Sequence, residues 1–429
     1  MKVKFYTLGC KVNQYESQAM SEALGEKGYE TVTDDTADIF IINSCTVTAF
    51  ADKKTRQAVR CFKRNNPQSV VVLTGCMPQA YPENSKALME ADIVIGNKNN
   101  CDLPFILENF FKNRERVFKV EEHLKGDNFR TSKITGFDER TRAYIKIQDG
   151  CNRFCSYCII PYSRGRVRSK PIEELKAELE ALSKNGYKEV VLVGINLSSY
   201  GQDIGRTFPE AVKCADNTEG ILRVRLGSLE PDHLTDSVID ELAACKKLCP
   251  QFHISLQSGC NNTLKRMNRH YSAEEYRDLC VKLRKSFKDC TITTDVMVGF
   301  AGESEEDFEE SLEFVKEIAF EKVHVFPYSV RKGTRAEKFD GQLDMKTKEE
   351  RCRIMIEETD RIRREFFKKQ IGKVYPVLFE TTDNDGYLAG HTANFIPIKT
   401  IAPEEFRGKM KKVIIKDFSN DFCIGELIQ

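Results

Sequence analysis

Long apolar runs are missing from this sequence. No stretch approaches the roughly 18 consecutive apolar residues that a membrane helix needs, so a membrane protein is not expected. Histidine is scarce, with six in 429 residues, and none falls in a His-x-x-x-His or Cys-x-x-Cys…His-x-x-x-His arrangement. A conventional zinc finger or zinc hydrolase therefore has little support. An excess of either charge is lacking too: 66 Lys and Arg against 65 Asp and Glu leave a net charge of +1. Any contact with nucleic acid must come from local basic patches rather than a global field. The start, Met1-Lys2-Val3-Lys4-Phe5-Tyr6, runs straight into an alternating strand pattern without an apolar signal core, so no export is expected and the chain is placed in the cytoplasm.

Cysteine, by contrast, is abundant. Sixteen in a cytosolic chain read as metal ligands or reactive thiols rather than disulfides, and with so few histidines sulfur-only ligation is favoured. A hydrophobic content of 41% with 31% charged residues fits a globular protein, and the length exceeds one hydrophobic core, so roughly two to three domains are expected.

The first segment alternates buried-strand candidates (Lys2–Leu8, Ile39–Asn43, Val70–Thr74, Asp92–Gly96) with helical patterns around Gln14–Gly25, Ala51–Arg64 and Pro82–Met89. That is the signature of a parallel α/β sheet. Cys10, Cys45 and Cys76 each lie just past the C-terminal end of one strand, in Leu8-Gly9-Cys10, Asn43-Ser44-Cys45 and Thr74-Gly75-Cys76. Ligands of open parallel sheets collect at those ends, so three residues far apart in sequence can converge. Spacing alone leaves a second reading open, that of buried small hydrophobes.

A helix and charged connector over about Pro104–Arg140, ending Phe137-Asp138-Glu139-Arg140, lead to six strand-like runs: Ala143–Gln148, Glu189–Gly194, Arg223–Gly227, His253–Gln257, Thr291–Gly299 and Lys322–Pro327. Helical patterns between them, clearest at Pro171–Asn185, Asp232–Cys245, Ala273–Phe287 and Glu305–Ile318, predict an incomplete (β/α)6 barrel with its chemistry at the C-terminal strand ends. Thr347-Lys348-Glu349-Glu350 reads as a capping box opening a long amphipathic helix to about Lys369. From Gly372 onward short strands, including Val374–Glu380, Tyr387–His391 and Lys412–Ile415, with the turn Asn384-Asp385-Gly386, predict a small carboxy-terminal β-barrel. The fold class is α/β, in three units: 1–115, 137–367 and 370–429.

Gly150-Cys151-Asn152-Arg153-Phe154-Cys155-Ser156-Tyr157-Cys158 places three cysteines at Cys-x₃-Cys-x₂-Cys spacing in the loop after the first barrel strand. Three thiolates are one short of closing a cubane, so a 4Fe–4S cluster held by Cys151, Cys155 and Cys158 keeps one iron open to chelate S-adenosylmethionine. A three-cysteine zinc site with a distant fourth ligand uses the same residues. The spacing resembles the radical-SAM signature, with Tyr157 in its usual aromatic position.

The resemblance narrows over essentially the whole chain. Thr7-Leu8-Gly9-Cys10-Lys11-Val12-Asn13-Gln14-Tyr15-Glu16-Ser17, Asn43-Ser44-Cys45-Thr46-Val47-Thr48 and Thr74-Gly75-Cys76 resemble the three cysteine motifs of the methylthiotransferase amino-terminal domain. So do Cys158-Ile159-Ile160-Pro161-Tyr162, Ser228-Leu229-Glu230-Pro231, His253–Gly259 and Asp295–Glu303 in the barrel, and the terminal module is similar to the RNA-binding TRAM barrel. The resemblance implies a second, auxiliary 4Fe–4S cluster on Cys10, Cys45 and Cys76, and S-adenosylmethionine lined by Glu230, Gln257, Gly299 and Glu303. The last four could equally pack the barrel or shape turns. It further implies a tRNA substrate at the anticodon loop, and an electron donor such as a flavodoxin or ferredoxin.

Gly9-Cys10-Lys11-Val12-Asn13-Gln14 is similar to the branch that adds a methylthio group at C2 of N6-threonylcarbamoyladenosine, position 37 of tRNA. The alternatives are isopentenyladenosine, a ribosomal-protein aspartate, or a metal-stabilised RNA-binding protein with no catalysis. Adenosine C2 carries a strong, non-acidic C–H bond that no base or ordinary nucleophile opens at neutral pH, so a carbon radical is required. Two basic runs, Arg164-Gly165-Arg166-Val167-Arg168 and Arg331-Lys332-Gly333-Thr334, depart from the family's pattern. Arg361-Ile362-Arg363-Arg364, Lys368-Lys369 and Lys409-Met410-Lys411-Lys412, with Phe366 and Phe367 interleaved, are candidates for RNA contact or simply a solvated face, with Phe366 read as core. The other ten cysteines, including the Cys245/Cys249 and Cys280/Cys290 groups, lack ligand spacing and read as buried or incidental thiols.

Overall fold

A computed structural model describes residues 1–131, 133–137, 141–383 and 385–428. Asp138, Glu139 and Arg140 of the connector and Asn384 of the expected turn lie outside the described residues.

The first sheet has six parallel strands in the spatial order Glu30–Thr31, Lys2–Thr7, Ile39–Ser44, Val70–Gly75, Ile93–Ile95, Val117–Lys119. Ile39–Ser44 and Val70–Gly75 are buried along their whole length, which is why they read as unbroken apolar runs. The two outermost strands, of two and three residues, are too short to leave a pattern in the sequence. Strand order reverses between Lys2–Thr7 and Ile39–Ser44, and such a switch point opens a crevice at the C-terminal strand ends. Cys45 and Cys76 directly follow their strands at that edge, and Cys10 comes after Leu8 and Gly9.

The second unit contains all six expected strands, Arg142–Lys146, Glu189–Val193, Arg223–Leu226, Gln251–Ile254, Thr291–Val298 and Lys322–Pro327, parallel and adjacent in chain order. The short strand Ser228–Leu229 carries the third across to the fourth. With no seventh or eighth strand among the described residues, the barrel stays open between its first and last strands. Helix Lys11–Gly25 of the first unit packs on the edge strand Arg142–Lys146, and helix Met345–Lys368 on the opposite edge, Lys322–Pro327. Both edges are thereby covered.

The long helix starts earlier than the Thr347 capping box suggested. Asp344 is its N-cap, accepting from Thr347 N at 2.8 Å, so Thr347 sits a turn inside. Aspartate caps as well as threonine does, and Asp344 lies three residues upstream of Thr347. The terminal module is the expected β-barrel, closed by five strands: Val374–Thr382, Tyr387–Thr392, Pro397–Ile401, Cys423–Leu427 and Met410–Phe418. Phe367, from the end of the long helix, is buried in its core, and Phe366 packs half-buried against it.

This module stoppers the N-terminal mouth of the larger barrel. Arg225 donates to the carbonyls of Ala393 at 2.7 Å and Thr392 at 2.6 Å, and Thr291 Oγ1 donates to Asn394 O at 2.6 Å. Phe395, at φ +64°, stacks on His391 at 4.2 Å between ring centres, with Arg142 and Arg225 over its ring at 5.2 and 4.8 Å. Nearby, burial pushes the Glu321 carboxyl up to about 7, against the pull of Arg284. The folded protein thus binds this proton more tightly than the unfolded chain, and the stability it carries is full at acid pH and drains away as pH rises from the ordinary 4.5 through about 7. Glu321→Gln should be more stable than the wild type at pH 8 by about 1–3 kcal/mol, the gap closing near pH 5 in urea titrations.

Candidate active site

The Cys151–Cys158 loop is shaped by its backbone. Gly150 has φ +73°, and a Cβ there would lie 1.9 Å from Arg166 O, so only glycine fits. Phe154 also takes a left-handed conformation, at φ +53°, turning the chain between Cys151 and Cys155. Ser156 ties the loop to Met267 O through its N–H at 3.0 Å and to Arg266 O through its hydroxyl at 2.8 Å. Tyr157 packs edge-on to Phe300 with centroids 6.2 Å apart. Asn196 Nδ2 lies 3.7 Å from Cys151 Sγ, and Arg269 Nη1 donates to Cys155 Sγ at 3.3 Å. Arg269 also pairs with Glu230, which puts that glutamate beside the cysteine loop.

The other nominated residues have these partners. Gln257 sits at φ +69° with its buried Oε1 unpartnered among the described residues. Glu303 accepts from Gly299 N at 2.8 Å and from Arg351 Nη1 at 2.6 Å, which closes the Gly299–Glu303 turn. Gly299, at φ +71°, packs under Lys348.

On the first sheet, Gly9 at φ +103° lets Cys10 and Cys45 approach: a Cβ there would stand 2.8 Å from Cys45 Cβ and 3.2 Å from its Sγ. Asn13 Nδ2 donates to Leu8 O at 2.8 Å and Ser44 O at 3.0 Å, clamping the loops that carry these cysteines, while Cys10 Sγ lies 3.7 Å from Asn13 Oδ1. Cys76 opens a short helix and is buried, and its sulfur accepts from Arg164 Nε at 3.2 Å. Burial pushes the Cys76 thiol up to about 12 and also raises those of Cys45, Cys151 and Cys158. A cluster binds cysteine as thiolate, so its binding here would have to displace the thiol protons that burial favours. Among the described residues, neither triad brings its three sulfurs all within 4.8 Å of one another. One ion needs such compactness, whereas a multi-iron cluster, each iron taking one sulfur, spreads its ligands.

The two unexpected basic runs are struts between the units. Arg164, fully buried, reaches from the barrel to Cys76, to Glu16, and to Asn13 Oδ1 at 2.8 Å. Lys146 Nζ bridges Glu16 and Asp149, each at 2.7 Å. Burial alone would raise both carboxyls, but Arg164 and Lys146 outweigh it at Glu16, and Lys146, Arg164 and Arg168 do so at Asp149, so both are held below their usual range. Arg331 likewise crosses to Asp52 and, at 3.0 Å, to Thr46 beside Cys45. No spacing rule announces these residues, since their partners lie up to 285 positions away.

Beside Cys10 lies a cavity of about 720 Å³, the lumen of the open barrel. Gly194 and Gly227 line it at the C-terminal strand ends, Phe395 at the floor, and Gly9, Cys10, Lys11 and Gln14 from the first unit. Its inward-facing side chains alternate along the strands, as at Gln251 and His253, Thr293 and Asp295, and Lys322 and His324. His253 Nε2 lies 3.2 Å from Asp295 Oδ2, and its Nδ1 3.0 Å from Thr293 Oγ1. Burial, with Arg142 and Arg225 nearby, lowers the Lys11 pKa.

Family models match on both sides of this cavity: "Radical SAM superfamily" over residues 145–315 and "Uncharacterized protein family UPF0004" over residues 2–96. The threonylcarbamoyladenosine tRNA methylthiotransferase MtaB of Bacillus subtilis is 37% identical over 100% of this chain and 96% of its own length. That of Aquifex aeolicus is 39% identical over 97% and 100%. The chain belongs to the radical-SAM methylthiotransferase family. It is an enzyme that works with S-adenosylmethionine and 4Fe–4S clusters. A second group within this methylthiotransferase family matches at similar identity: the tRNA-2-methylthio-N(6)-dimethylallyladenosine synthase of Clostridium botulinum strain Langeland, 38% identical over 98% of this chain and 96% of its own.

Among solved structures, the radical S-adenosylmethionine methyltransferase TsrM from Kitasatospora setae shares the fold, with a TM-score of 0.54 at 15% identity over 76% of this chain and 72% of its own. The cobalamin-dependent OxsB does so with 0.52 at 11%, over 97% and 64%. Among the described residues of this methylthiotransferase, no helix is long and apolar enough to cross a membrane.

Proposed function

We propose that this methylthiotransferase adds a methylthio group to C2 of N6-threonylcarbamoyladenosine at position 37 of tRNA, in the cytoplasm, with electrons from a flavodoxin- or ferredoxin-like donor. In this reading Cys151, Cys155 and Cys158 hold the cluster that opens S-adenosylmethionine, and Cys10, Cys45 and Cys76 hold the auxiliary one. Bound there, these groups supply the carbon radical and the transferred sulfur. The protein encloses and orients the base: the lumen admits an unpaired anticodon-loop nucleotide flipped from its stack. Glu230 and Gln257 are proposed to line S-adenosylmethionine, with the Gly299–Glu303 turn shaping that wall. Units 1–115, 137–367 and 370–429 divide the work, the last gripping the RNA backbone.

The observation that carries this choice of substrate is the lumen's lining. Lys11, Arg142, Arg225 and Lys322 line it with one acid, Asp295, a polar wall that suits a carboxylate-bearing threonylcarbamoyl group better than an apolar isopentenyl chain. The test is nucleoside mass spectrometry of tRNA from a host lacking its own methylthiotransferases. Expression of this chain should yield methylthio-threonylcarbamoyladenosine; methylthio-isopentenyladenosine in its place, or unchanged tRNA, would refute the reading.

A further inference from the structure

Four cations line the lumen, and three are already engaged or face acids. Arg225 is spent on Glu189 and on the carbonyls of Thr392 and Ala393. Arg142 pairs with Glu380 at 2.9 Å and lies 3.8 Å from Glu189. Lys322 is repelled by Arg363 and attracted by Asp421 and Asp360. Lys11 is different: among the described residues no carboxylate pairs with it, and its closest charged company is Arg142 and Arg225, both repulsive, and Cys10. Three residues on, and so on the same face of helix Lys11–Gly25, Gln14 also lines the lumen, its buried Oε1 without a partner among the described residues. Lys11 is solvent-accessible at this wall while Gln14 Oε1 is buried and unsatisfied, so a ligand entering the lumen would meet a free ammonium beside an amide oxygen that lacks a partner among the described residues.

We infer that Lys11 is the residue that selects the substrate, its ammonium pairing with the carboxylate of the threonylcarbamoyl group while the Gln14 amide meets the adjoining ureido group. The chemistry of the substituent supports this position. The ureido N–H next to threonine closes a hydrogen bond onto N1 of its own adenine, which brings the threonyl carboxylate to the edge of the base that carries C2. The residue that meets the carboxylate must then stand beside the site that delivers sulfur to C2, and Lys11 directly follows Cys10. The N-terminal end of the same helix, whose N-cap Cys10 makes no side-chain capping bond, adds a favourable dipole.

This inference rests on the function proposed above, and three anticodon stem-loop RNAs separate the two. They carry threonylcarbamoyladenosine, its methyl ester, and isopentenyladenosine; dissociation constants and methylthio yield are measured with cluster-loaded enzyme, and iron content is checked for each variant. Wild type should prefer the acid over the ester on the order of 10- to 100-fold, the range of a charge-assisted pair. Lys11→Met should bring that ratio close to one, and Lys11→Arg should restore much of it. Equal binding of acid and ester by the wild type needs no variant to overturn the assignment, as does a Lys11→Met enzyme with full iron that keeps the preference. Modification of the isopentenyl RNA alone would instead overturn the parent function.

Discussion

Cys155→Ala should abolish both methylthio product and S-adenosylmethionine cleavage, and lower the iron of reconstituted protein from about eight to about four per chain. The loop supplies only three thiolates, and its geometry is set by Gly150, Phe154 and Ser156 rather than by any spare ligand within reach. Cys76→Ala should lose the product and about four irons while S-adenosylmethionine cleavage persists, because its sulfur lies on a different sheet and is anchored by Arg164. The discriminating measurement is 5′-deoxyadenosine release alongside product and iron. If Cys155→Ala still cleaved S-adenosylmethionine, or if either variant shed all its iron, the division of labour between the triads would be wrong.

Arg164→Met should carry the largest stability cost of any single replacement away from the cysteines, about 3–5 kcal/mol in denaturant titrations. The guanidinium is wholly buried and neutralises Glu16 and, with Lys146, Asp149. Removing it leaves Lys146 to balance two buried carboxylates, helped only by Arg168 at Asp149, and severs the strut that joins the two units at Cys76. Arg164→Lys should recover only part of the loss, since one ammonium cannot reproduce the fork that reaches Cys76, Asn13 and Glu16 together. Pairing Arg164→Met with Glu16→Gln should relieve some of the cost by removing one stranded charge. Auxiliary iron content should fall with Arg164→Met, whereas a cost below about 1 kcal/mol would show that water, not Arg164, solvates Glu16.

Much of the site was legible from one dimension because its chemistry is local. Cys151, Cys155 and Cys158 fall within eight residues, so their spacing alone proposes a common loop, and Cys10, Cys45 and Cys76 follow strands whose apolar runs are unmistakable. The capping of the long helix was displaced because Asp344 and Thr347 both satisfy the capping preference, and only the observed bond to Thr347 N separates them. Arg269, beside Cys155, carried no signal at all: its partner is 114 residues away.

The sequence by itself determined the alternation of strands and helices, the open six-stranded barrel and the small terminal barrel, because each is written in short-range periodicity, and it put forward the two cysteine triads that the variants above test. Tertiary structure alone decided which basic residues are buried struts, where Phe395 stoppers the barrel, and that Lys11 faces the lumen with no carboxylate partner among the described residues. These depend on how separately patterned sheets pack against one another. A side chain's charge partners are set by that packing across more than a hundred residues, and no local pattern encodes it.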